Sequence, residues 1–153
     1  MFIEERQSRV TPKVIDALYI EAMLLADEAR SYFDDRGREE RGGLDPLLRV
    51  EFTCEALKVT TRLMHVIAWL LNQRAVEAGE ITAAQARQPE RSLGDAAGTD
   101  SALLRRLPRE AAGIIAESEE LYDRVRRVAD GGDSGGGQAS PARTLMNRLE
   151  RAF

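Results

Sequence analysis

The sequence has one cysteine, Cys54, and one histidine, His65. A single cysteine excludes an internal disulfide, and the two residues together are too few for a His/Cys metal cluster. Aromatic residues make up only 5% of the 153 positions, and no apolar run reaches the ~18 residues of a membrane span. The start, Met1-Phe2-Ile3-Glu4-Glu5-Arg6, has no basic region followed by an apolar core and a small-residue cleavage site, so no secretory signal is expected. A basic excess is also missing: 22 Lys and Arg stand against 26 Asp and Glu, a net charge of -4. Phosphate neutralisation by a nucleic-acid binder needs the opposite balance. The expectation is a cytoplasmic protein that neither crosses a membrane nor binds nucleic acid, with no metal and no cofactor.

Hydrophobic residues at 43% and charged residues at 31% are the proportions of an ordinary folded chain. At this length one modest core is expected, with no room for a second domain. Helical punctuation divides the chain. Thr11-Pro12 provides a cap and a first-turn proline, whose missing N–H has no partner there in any helix. From it Val14, Ile15, Leu18, Tyr19, Ala22, Met23, Leu25, Ala26 and Ala29 run at three- and four-residue spacings toward Tyr32-Phe33, so a helix is expected to stop near Asp34. Residues 35–43, charged and glycine-punctuated, read as an exposed connection.

Asp45-Pro46 repeats the start signal. Behind it Val50, Cys54, Leu57, Thr61, Met64, Ala68, Leu71 and Ala75 step by fours and threes, the spacing of a heptad seam, and Val59, Leu63, Val66, Ile67 and Leu70 form a second apolar row. A helix from Pro46 to Ala78 would be roughly 50 Å long. Its middle is apolar on nearly every side, which implies burial against more than one neighbour. The seam of Val50, Cys54, Leu57, Thr61, Met64, Ala68 and Leu71 therefore has two readings, a core face and a dimer face, and the sequence leaves both open. Thr82 caps a short turn, residues 88–100 read as loop, and Ser101–Leu107 leads through Pro108 into a third long helix carrying Ala112, Ile115, Leu121, Tyr122, Val125 and Val128. Five of the twelve glycines fall between Gly131 and Gly137, so 131–138 is expected to be a flexible linker between a 1–130 bundle and a 139–153 tail. In that tail Leu145, Met146, Leu149 and Phe153 give a short amphipathic pattern, too short to be a stable helix alone and suited to docking, on a partner or on the bundle. The fold class is all-α: a three-helix bundle with one long central helix, a Gly-rich linker and a C-terminal amphipathic tail.

No catalytic residues emerge. His65 and Cys54 lie eleven positions apart on one helix, roughly 16 Å along its axis, too far for a dyad. Glu39-Glu40 and Glu119-Glu120 are sequence neighbours that point about 100 degrees apart. Gly131 to Gly137 follows a helix and lacks the Lys-Ser/Thr of a phosphate loop.

The run from Glu55 to Val76, with Arg62-Leu63-Met64-His65-Val66-Ile67-Ala68-Trp69 at its centre and Gly79-Glu80-Ile81-Thr82 after it, resembles the regulator of CtrA degradation (RcdA) family of alphaproteobacteria. Ser118-Glu119-Glu120-Leu121-Tyr122-Asp123-Arg124-Val125 is similar to that family's Ser-x-x-Leu-Tyr-x-Arg-Ile/Val pattern. The resemblance spans residues 11–130. It implies a non-enzymatic, dimeric helical bundle acting as an adaptor that delivers cell-cycle transcription regulators to the protease ClpXP, with protease-associated adaptors and regulatory cargo as protein partners. It also implies a partner-binding tail and transient placement at a cell pole. Two other readings fit the residues: a structural helical oligomerisation module, and a small-ligand sensor with a pocket between helices.

Overall fold

The computed structural model describes the backbone of residues 2–133 and 149, with side chains over 12–131 and at Leu149. The elements are α1 (Phe2–Asp34), α2 (Arg36–Gly42), α3 (Pro46–Glu77), α4 (Ala83–Ala86), α5 (Ser101–Arg106) and α6 (Arg109–Asp133), and no strand occurs among the described residues. The all-α fold class is therefore correct.

Local chemistry sets the boundaries of α3. The Asp45 carboxylate accepts from the Leu48 N–H at 3.0 Å, with Pro46 in the first turn. At the other end the Glu80 N–H reaches the Ala75 carbonyl at 2.9 Å across Gly79, whose φ of 75° suits glycine. Thr82 and Gln85 exchange bonds in a capping box that starts α4.

Three long helices enclose the core. Ile15, Leu18, Ala22, Leu25, Ala29 and Tyr32 from α1 meet Leu48, Phe52, Val59, Leu63, Val66 and Leu70 from α3, and Ala111, Ile114, Ile115, Leu121, Tyr122 and Val125 from α6 close the third side. α1 runs antiparallel to α3, since Asp16 pairs with Arg74 at 3.5 Å and Phe33 stacks edge-on against Phe52 at 5.6 Å. α1 is antiparallel to α6 as well, with Glu21 paired to Arg124 and Glu28 beside Glu117 in the groove between the two helices. α3 and α6 thus run parallel.

Four expectations need correction. α1 begins at Phe2 and carries Pro12 inside it, although an interior proline loses one backbone bond and crowds the carbonyl four residues earlier. With 33 residues against 32 in α3, it removes the idea of one long helix. Residues 35–43 are not a bare connection: α2 forms there, with Gly37 buried against Tyr32 and the Tyr32 hydroxyl donating to Glu40. A Cβ on Gly37 would stand 2.9 Å from the Tyr32 carbonyl oxygen, so only glycine allows this approach. Finally, α6 continues through Gly131 and Gly132 to Asp133, into the stretch expected to be linker. The partly buried Val128 and Ala129 hold this last part of the helix against the core.

Candidate protein-binding surfaces

α3 is apolar on two opposite faces. The inner face, with Val59, Leu63, Val66 and Leu70, is the core row. The seam residues take the outer face: Val50 is 59% exposed, Leu57 63%, Met64 64% and Leu71 47%, and Cys54, Thr61 and Ala68 are exposed too. Among the described residues the seam therefore faces away from the core. Leu47, at 66%, extends the same stripe. No charged residue interrupts it from Leu47 to Ala75. Its one hydroxyl, on Thr61, already donates to the Leu57 carbonyl at 3.0 Å, so covering the stripe strands no polar group there. An exposed apolar row of this length on a small chain is the pattern of a protein contact face.

The inner face of α3 also carries two charged residues. Arg62 is 1% exposed and Glu55 2%. They lie seven residues apart in line with Val59 and clamp the loop between Ser92 and Asp100. Arg62 donates to the Ala97 carbonyl at 2.7 Å, to Thr99 Oγ1 at 2.8 Å and to Ser118 Oγ at 3.1 Å. Thr99 in turn donates to Glu55 Oε2 at 2.5 Å, and Lys58 bridges Glu55 Oε1 at 2.8 Å and the Gly98 carbonyl at 3.2 Å. From α6, the Tyr122 hydroxyl donates to the Gly94 carbonyl at 2.6 Å and accepts from Arg126, which also pairs with Asp95 at 2.9 Å. The charges of Arg62 and Glu55 are both met by hydrogen-bond partners, as a buried charge requires. The clamp draws on the same two stretches that carry the family resemblance, through Glu55, Lys58, Arg62, Ser118 and Tyr122. These residues hold a loop.

Between α1 and α6 an open groove of about 210 Å³ is lined by Glu21, Leu24, Glu28, Glu117, Glu120 and Arg124 among others. That is below the ~300 Å³ at which small-molecule sites begin. Partial desolvation at the groove wall, followed by the charges of Glu28, Glu120 and Glu21, raises the carboxyl of the exposed Glu117 above its ordinary value.

His65 does not approach Cys54. Its ring packs beneath Gly94, where an added Cβ would come within 2.7 Å, and its Nδ1 is buried with no hydrogen-bond partner among the described residues. Cys54 is exposed on the outer stripe. No group of three His, Cys, Asp or Glu side chains able to hold a metal occurs among the described residues. No described helix is long and apolar enough to cross a membrane. Of the tail residues only Leu149 is described, helical and 49% exposed; Leu145, Met146 and Phe153 lie outside the described residues.

The class these features define is an all-helical protein whose notable surfaces are an apolar helix face and a clamped loop. Over residues 6–153 the chain matches the family described as "Protein of unknown function (DUF1465)", and it belongs to that family. It is similar to RcdA from Caulobacter crescentus CB15, seen in a crystal structure: 34% of residues are identical over 74% of this chain and 86% of that one, with a TM-score of 0.59. The resemblance to the RcdA family read from α3 and α6 is thereby upheld. A search among curated proteins finds no match.

Proposed function

We propose that the protein is a non-enzymatic, cytoplasmic adaptor that works as a homodimer and brings regulatory protein cargo, or a second adaptor, to the ClpXP protease. The observation that carries this reading is the uncharged stripe on the outer face of α3, from Val50 through Leu57 and Met64 to Leu71, which suits a protein partner and lies outside the core of the described residues. The similarity to RcdA supports the adaptor role and the link to regulated proteolysis. Tethering raises the effective concentration of a substrate at a protease without bond chemistry, so such a protein needs no catalytic constellation.

In this reading two surfaces divide the work. The α3 stripe joins two copies, and Leu145, Met146, Leu149 and Phe153 of the 139–153 tail engage a partner beyond the 131–138 segment. Transient placement at a cell pole is part of the same reading and rests on the similarity to RcdA. The small volume of the α1–α6 groove weighs against the ligand-sensor alternative. The structural-module alternative differs in what the tail does, and truncation separates the two.

The test compares the full chain with a chain ending at Asp133, measuring mass, melting temperature and retention of cargo on purified ClpX. The adaptor reading expects equal mass and stability, with cargo retained only by the full chain. A shortened chain that still delivers cargo would remove the tail's role, and one that melts early would make the tail a structural element.

A further inference from the structure

The outer stripe of α3 has an internal order that selects how a second copy sits on it. Its large members, Val50, Leu57, Met64 and Leu71, recur every seven residues, and so do its small members, Cys54, Thr61, Ala68 and Ala75. Two copies lying parallel would stack like on like. Layers of Leu57 on Leu57 would alternate with layers of Ala68 on Ala68, overfilled and underfilled in turn. Two copies lying antiparallel place a large residue opposite a small one in every layer, and uniform filling follows.

We infer that the homodimer proposed above is an antiparallel pairing of α3 with α3 of a second copy about a two-fold axis between Thr61 and Met64, with Val50 facing Ala75, Cys54 facing Leu71 and Leu57 facing Ala68 across it. A self-complementary face of this kind is what a two-fold contact requires. The flanking positions agree. Glu51 falls beside Asn72 of the second copy and Lys58 beside His65, while Thr53 falls beside Arg74 and Thr60 beside Ile67, so no like-charged acid or lysine–arginine pair is forced together.

The pairing has a functional consequence. α6 runs parallel to α3 and in step with it, Ser118 and Glu119 beside Arg62, so α6 ends at Asp133 level with the end of α3 at Glu77. The two copies therefore send their C-terminal segments from opposite ends of the dimer, roughly 44 Å apart along the axis. An antiparallel adaptor holds its two tails apart, whereas a parallel one would present them side by side to one partner.

This inference rests on the homodimer reading, and one experiment separates the two. The full chain, Leu71→Cys, and Leu71→Cys with Cys54→Ser are each treated with a short bis-maleimide after their mass in solution is measured. Antiparallel pairing brings Cys54 opposite position 71 and keeps Cys54 roughly 26 Å along the axis from its own copy. The expected result is a covalent dimer in most of the Leu71→Cys protein and in neither of the others. The exposure of Leu71 makes this substitution compatible with folding, and Leu57→Cys/Ala68→Cys in a Cys54→Ser background repeats the test at a second layer. Strong cross-linking of the unmodified chain through Cys54 would show a parallel pair and overturn the inference. So would a dimer by mass in which neither cysteine pair links. A monomer by mass would overturn the homodimer reading and the pairing with it.

Discussion

Replacing Arg62 by methionine tests the buried clamp. The methionine keeps most of the apolar stem and deletes the guanidinium with its three bonds, to the Ala97 carbonyl, Thr99 Oγ1 and Ser118 Oγ. A hydrogen bond to a charged group is worth about 1.5 to 3 kcal/mol, and removing one side of a buried charge arrangement costs about 3 to 5 kcal/mol. Glu55 keeps Lys58 and Thr99 after the change, so it is not left bare, which favours the lower part of that range. The expected loss is about 3 kcal/mol, and at about 2 to 4 °C per kcal/mol for a chain of this size the melting temperature falls by on the order of 10 °C. Urea and thermal unfolding followed by far-UV circular dichroism measure both. A double-mutant cycle with Glu55→Gln then isolates the coupling of the two charges through Thr99. A loss below about 1 kcal/mol for Arg62→Met would show that the clamp is not holding the loop, and the reasoning would fail.

Three further changes have definite signs. Gly94→Ala drives a Cβ into the His65 ring and is expected to cost about 1 to 3 kcal/mol, with much of that recovered in Gly94→Ala/His65→Ala, as unfolding curves of the single and double variants will show. Tyr122→Phe removes the 2.6 Å bond to the Gly94 carbonyl and is expected to cost about 1 kcal/mol and to speed amide exchange in residues 93–99. Glu117→Gln acts through pH. Partial desolvation at the groove wall and the neighbouring acids raise this exposed carboxyl, so its ionisation in the folded state carries a small stability cost; that cost is absent below the unfolded-state pKa and complete once pH has risen through the folded-state value. The variant should therefore melt higher than the parent at neutral pH and level with it in acid, and a parent that melts higher at neutral pH would contradict the assignment.

Much of the architecture was legible because the start signals are local. Asp45-Pro46 and Thr82 with Gln85 cap helices where their side chains dictate. Placement of the seam was not legible from spacing, because α3 is apolar on two opposite faces and a heptad count cannot tell which one turns inward. The clamp was readable in principle. Glu55 and Arg62 interrupt the row of Phe52, Val59, Leu63 and Val66 at a spacing of seven, and charges in line with a core row signal a buried polar contact. Its partners on the loop, Ala97 and Thr99, depend on tertiary folding and leave no local trace. The helix in 36–42 was hidden for a related reason: Gly37 disfavours helix, yet it is what lets that turn approach Tyr32.

Sedimentation velocity on the full chain beside Leu57→Glu/Met64→Glu tests most directly whether the outer face of α3 joins two copies. Both residues are exposed, so helical content and melting of the isolated bundle should be preserved while a charge is placed at the middle of the stripe. The account requires a dimer for the parent and a monomer for the variant at the same concentration. A parent that sediments as a monomer, or a variant that remains a dimer, would contradict it.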